Sequence, residues 1–105
     1  KPIFAQQHFQ IAKANIIGKN KNVMKFQVIG QDHASMEALY FGDIEDLIRF
    51  IKEEYGEEQF DRMMEGRRNE VDLAFTYYPS VNEFRGTRSL QIVIQNYCRV
   101  SYNNR

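Results

Sequence analysis

The chain has 105 residues, enough for one domain and too few for two. Its 14 Lys and Arg balance 14 Asp and Glu, which argues against the basic excess of a strong, unaided nucleic-acid binder and leaves room for a local basic patch. A single cysteine, Cys98, excludes an internal disulfide and fits a reducing, cytoplasmic setting, and no apolar run approaches the roughly 20 residues that span a bilayer.

In chain order, residues 8–18 are rich in β-branched and aromatic types with partial alternation and read as a first strand. The segment Gly18-Lys19-Asn20-Lys21-Asn22 is a polar turn, with residue types that take positive φ at low cost. Residues 23–29 form a second strand, with Met24, Phe26 and Val28 on one face and Lys25 and Gln27 on the other. A turn over Gly30–His33 leads to a third strand over 35–41. The period then changes: Ile44, Leu47, Ile48, Ile51 and Tyr55 recur at helical spacing opposite a charged face. Asp43 is placed to cap that helix and Gly56 to stop it. A shorter helix or turn is expected over 57–65, broken by Gly66-Arg67-Arg68-Asn69. Two strands with clean period-2 patterns close the chain, around residues 71–77 and 90–95. Between them, residues 78–88 read as a long loop. Pro79 interrupts pairing there and Gly86 supplies the reversal.

Three strands, a helix and two strands is the order of the OB-fold. That fold is a mostly β, five-stranded Greek-key barrel with a helix between strands three and four. Other split barrels share the same string.

Catalytic chemistry is hard to place. Asp32-His33 suits a tight turn better than a metal site, because no further histidine or cysteine stands at ligand spacing. Cys98 has no histidine near it in sequence and reads as an inert thiol at a strand end. No phosphate-binding glycine loop or serine elbow is present. The carboxylates of residues 43–65 read as a solvated helix face. The expectation is a chain that is not itself an enzyme and holds no cofactor.

Binding is better supported. OB-folds take single strands on the face of strands two and three, flanked by the loops between strands one and two and between strands four and five. Lys19 and Lys21 lie in the first loop, Lys25 on strand two, and Tyr78, Phe84, Arg85 and Arg88 in the second loop. Cations for phosphates and aromatics for base stacking are the two ingredients of single-strand binding. Taken one at a time, the lysines read slightly better as turn solubilisers and Phe84 as a core plug; as a set converging on the edges of one face they favour binding.

The last third of the chain carries a resemblance. Val71–Phe75, then Asn82-Glu83-Phe84-Arg85-Gly86, then Ser89–Ile94 resemble the C-terminal OB domain of the RecJ family, bacterial single-strand-specific exonucleases of the DHH phosphoesterase superfamily. Lys1–Ala5 resembles the family's approach to strand one, and Met24–Val28 and Met36–Phe41 stand in the places of strands two and three. Val23-Met24 stands where the family usually has a histidine-leucine pair. The resemblance implies a parent 5′–3′ single-stranded-DNA exonuclease, a hydrolase of DNA repair and recombination with a manganese or magnesium core. That core is absent here, since Asp32-His33-Ala34 lacks the last residue of an Asp-His-His signature. The chain, opening on Lys1-Pro2, then reads as a piece of a longer protein, or as a sequence trimmed for expression. Expected partners are single-stranded DNA, the catalytic core of the same parent chain and other repair proteins. A structural module packed on the core, or a docking module for another protein, stays open beside direct DNA binding.

Overall fold

A computed structural model describes residues 5–30 and 32–98. Its elements run β1 (Ala5–Ile17), β2 (Val23–Ile29), β3 (Ser35–Tyr40), α1 (Ile44–Tyr55), α2 (Glu57–Met64), β4 (Asp72–Phe84) and β5 (Thr87–Cys98). The five strands close into a ring in the order β1-β2-β3-β5-β4, with β4 returning to β1. All neighbours are antiparallel except β3 and β5, which fits the OB-fold class.

One strand makes the closure possible. Residues 5–10 of β1 pair with β4, residues 10–17 pair with β2, and the register shifts between Ile11 and Lys13. Such a bulge bends a strand and raises its twist, so β1 can serve two neighbours at different angles. Inward residues then alternate with outward ones. Phe9, Ile11, Ala14, Met24, Phe26, Val28, Leu73, Phe75, Ile92 and Ile94 fill the interior. Phe9 stacks on Phe75 with ring centroids 4.7 Å apart, and Tyr77 meets both rings edge-on.

The segment between β3 and β4 holds two helices. The expected helix is α1, with the Asp43 carboxylate accepting from the Asp46 amide at 3.1 Å. Gly56 ends it at φ 91° and α2 begins at once, so the shorter second element is a true helix. Leu47 and Ile51 of α1 and Phe60 and Met63 of α2 join the barrel core. Tyr97 of β5 ties α1 to the ring: its ring packs against Tyr40 and Phe50, and its hydroxyl donates to the Asp46 carboxylate.

The expected loop over residues 78–88 is not a loop. β4 and β5 continue as paired strands to Phe84 and Thr87. Arg85 and Gly86 alone make the turn, both with positive φ (54° and 80°), the pattern of a type I′ hairpin whose twist matches its strands. Pro79 sits inside β4, beyond the last residue that pairs with β1 (Tyr77). At such a position, outside the described β1–β4 pairs, a missing N–H is tolerated. Residues 81–90 therefore continue past the ring as a two-stranded arm.

Candidate nucleic-acid interface

Outward residues of the ring line up in rows. One row runs Asn15, Lys25, Leu39, Val93, Tyr78 around β1, β2, β3, β5 and β4. The next runs Lys13, Gln27, Glu37, Gln91, Ser80. Lys25 and Tyr78 both point to the outer surface, but in a closed five-strand ring three strand spacings carry the row well round the barrel from β2 to β4. The centre of that surface is close to neutral. The Lys25 ammonium lies 3.5 Å from the Glu37 carboxylate, and Gln27 Nε2 donates to Ser35 Oγ at 2.9 Å.

Lys19 and Lys21 occupy the exposed β1–β2 turn. Gly18 takes φ 98° and Lys21 φ 54°, and the Lys21 amide donates to the Gly18 carbonyl at 3.0 Å. The arm leaves the ring at the other end. Because β5 runs parallel to β3, its turn lies toward the start of β3, beside the β2–β3 turn. The two flanking elements therefore bracket the rows from opposite ends.

The arm separates residues that the sequence had grouped. Tyr78 lies on the ring's outer face, whereas Arg88 pairs with Glu83 on the opposite face, and Arg85 stands at the tip. A two-residue turn cannot aim all three at one surface, because a strand's side chains alternate. The side chains of Phe84 and Cys98 lie outside the described residues, as do residues 1–4. The arm's underside is apolar. Val81 and Leu90 face each other at 54% and 61% exposure. Beneath them a cavity of about 260 Å³ is lined by Phe9, Met36, Tyr77, Pro79, Leu90 and Ile92, among others.

Asp32-His33 does sit in a turn. The Ala34 amide donates to Asp32 Oδ1 at 3.0 Å, and His33 takes φ 66°. Both histidines nonetheless border one open cavity of about 300 Å³ with Gln10 and Asp72. His8 Nδ1 lies 3.9 Å from Asp72 Oδ1, an oxygen that is buried and accepts no hydrogen bond. Burial pushes the Asp72 carboxyl up, and the charge of His8 partly opposes this. Among the described residues no three His, Cys, Asp or Glu side chains are placed to hold a metal ion.

Three cations outside the expected set complete the basic surface. Lys13 is exposed on β1, diagonal to Lys25 across the β1–β2 pair, and Arg67 and Arg68 lie exposed in the α2–β4 loop. The alternation of Lys13 with Asn15 on strand one was a usable signal for the first. For the arginines there was none, since Gly66–Asn69 reads only as a helix break until the chain has folded.

A family model described as the RecJ OB domain matches residues 1–96. Comparison with curated proteins and with solved structures gives no match. With nearly the whole chain covered and a ring of strands in the OB order, the chain belongs to the RecJ OB domain family.

Proposed function

We propose that the chain is a single-strand-binding OB module of a RecJ-like 5′–3′ exonuclease. It grips single-stranded DNA and guides it toward a catalytic core elsewhere in the parent protein, in repair and recombination. The observation that carries this reading is the outward-facing Lys25 on β2 with the exposed Lys19–Lys21 turn at the end of the same strand pair. Manganese or magnesium belongs to that core; the described residues of the barrel offer no fitting donor set. The neutral centre of the face and the balanced overall charge make the grip weak, with a salt slope set by the few lysines that meet phosphate.

Fluorescence anisotropy with a labelled oligothymidylate tests this. The expected result is binding at low ionic strength that weakens as salt rises. Replacing Lys19 and Lys21 with Gln should flatten the log–log salt slope by about 0.7 for each phosphate left without its lysine. Absence of binding at any salt concentration defeats the reading.

A second reading has its own support. The apolar underside of the arm, with Val81 and Leu90 exposed, suits packing against the catalytic core of the same parent chain. Exposed apolar patches commonly mark protein–protein interfaces. In that case Leu90→Ser weakens the parent nuclease's thermal stability and leaves DNA binding by the isolated domain unchanged.

A further inference from the structure

The sequence placed the binding surface across strands two and three, between the two flanking loops. The charge lies elsewhere. Lys19 and Lys21 stand at one end of the β1–β2 ribbon, Lys25 partway along it, and Lys13 near the other end. There the α2–β4 loop brings Gly66, Arg67 and Arg68 against β1. The outward faces of β3 and β5 carry Glu37, Leu39, Gln91 and Val93 instead, with no cation among them.

The far end is a constructed corner. Asn69 bolts the loop to β1: its Nδ2 donates to the carbonyls of Ile11 and Arg67, both at 3.0 Å, and its Oδ1 accepts from the Val71 amide at 2.9 Å. The Ile11 amide donates to the Val71 carbonyl at 3.1 Å. Gly66 has φ 72°, and a β-carbon there would lie 3.1 Å from Lys13 Cδ. The stem of Lys13 therefore runs over the glycine that precedes Arg67 and Arg68 in the loop. A cleft of about 260 Å³ opens between the β1 bulge and the loop, lined by Gln10, Ile11, Ala12 and Ile29 on one side and by Gly66–Asn69 on the other. Lys13 and Arg68 make no ion pair among the described residues. Arg67 pairs with Glu65 at 3.2 Å, with both side chains more than half exposed. Such an exposed pair is weak and yields to a better anion.

We propose that Lys13, Arg67 and Arg68, at the cleft between the β1 bulge and the α2–β4 loop, form a phosphodiester-binding site. The bound strand then runs lengthwise along the β1–β2 ribbon from the Lys19–Lys21 turn to this cleft. The inference rests on the single-strand-binding reading and gives it a direction. The ribbon is about 20 Å long at 3.3–3.4 Å per residue, room for several nucleotides. Of the acids near the path, Glu37 and Glu65 already hold Lys25 and Arg67, so there entry of phosphate exchanges one partner for another, and Glu70 lines a neighbouring cavity with Arg68.

The test compares three forms of this chain for binding oligothymidylates of increasing length: wild type, Lys19→Gln/Lys21→Gln and Lys13→Gln/Arg68→Gln. Circular dichroism melts verify folding of each. The expected result is that the Lys13/Arg68 pair lowers the salt slope by about 1.4, for two phosphates at about 0.7 each, and does so only for oligonucleotides long enough to span the ribbon. The charge-preserving pair Lys13→Arg/Arg68→Lys should restore the slope. In an NMR titration the amides of Gly66–Asn69 should shift with the long oligonucleotide and not with inorganic phosphate. If the wild type binds and the Lys19/Lys21 pair lowers the slope while the Lys13/Arg68 pair does not, the lengthwise path is wrong and the binding reading stands. If shifts appear with inorganic phosphate alone, the cleft is a simple anion site and the path is again wrong. If the wild type binds no oligonucleotide, both fall together.

Discussion

Tyr97 shows how much can hang on one side chain. It closes the end of β5 against α1 by packing its ring on Tyr40 and Phe50 and by a hydrogen bond to the Asp46 carboxylate. That hydrogen bond is the main cause holding the Asp46 carboxyl below its ordinary value, with Arg49 adding to it and desolvation opposing. Desolvation and the same carboxylate push the Tyr97 hydroxyl up. An acid whose value is lower in the folded state adds stability that is present above its unfolded value and is lost as pH falls through the folded one. Tyr97→Phe should therefore lower Tm at pH 7, and the gap to wild type should narrow below about pH 4. Thermal melts across pH 2–7 check this; a gap that stays constant would assign the loss to packing instead.

At the scale of elements, the sequence reads best where side-chain period and burial coincide. Strands two and three and helix α1 follow from alternation or from the Ile44–Tyr55 stripe, and their caps from Asp43 and Gly56. The arm was missed because Pro79, Asn82 and Gly86 are turn residues by local chemistry, yet each fits an extended hairpin. The proline falls beyond the described β1–β4 pairs and the glycine in a two-residue turn. Local propensity loses there to cross-strand pairing. Arg85 bears the cost, since a side chain at positive φ costs roughly 1 kcal/mol. Arg85→Asn should firm the arm by up to about that amount and raise hydrogen-exchange protection of the arm amides, while Gly86→Ala should lower it. Equal protection in both variants would mean that the turn does not limit the arm.

The candidate site divides in the same way. Lys19, Lys21 and Lys25 were legible because a turn and an outward strand position are local facts. Arg85 and Arg88 share a segment with Tyr78 but not a surface, because one arm carries two faces and a tip. Lys13, Arg67 and Arg68 come from segments more than 50 residues apart in sequence, joined by the hydrogen bonds that link Asn69 and Val71 with Ile11.

For the whole molecule, a ring of five strands is open at its ends until something fills them. Leu47, Ile51, Phe60 and Met63 do so from the two helices. Met63 is completely buried, and Met63→Ala should cost about 2–5 kcal/mol. That is a large part of the roughly 5–15 kcal/mol that holds a domain of this kind together. Urea denaturation measures it; a loss under about 1 kcal/mol would show that α2 is not part of the cooperative core. By itself the sequence determined the types of the elements outside the arm and α2, the inward faces of the strands, the capped helix and the kinship with the RecJ OB domain, because each is written in residues close together along the chain. Tertiary structure alone decided the closure of the ring through the β1 bulge, the extension of β4 and β5 into an arm, and the gathering of cations along the β1–β2 ribbon. Those depend on which distant backbones exchange hydrogen bonds, and period and propensity carry no record of that choice.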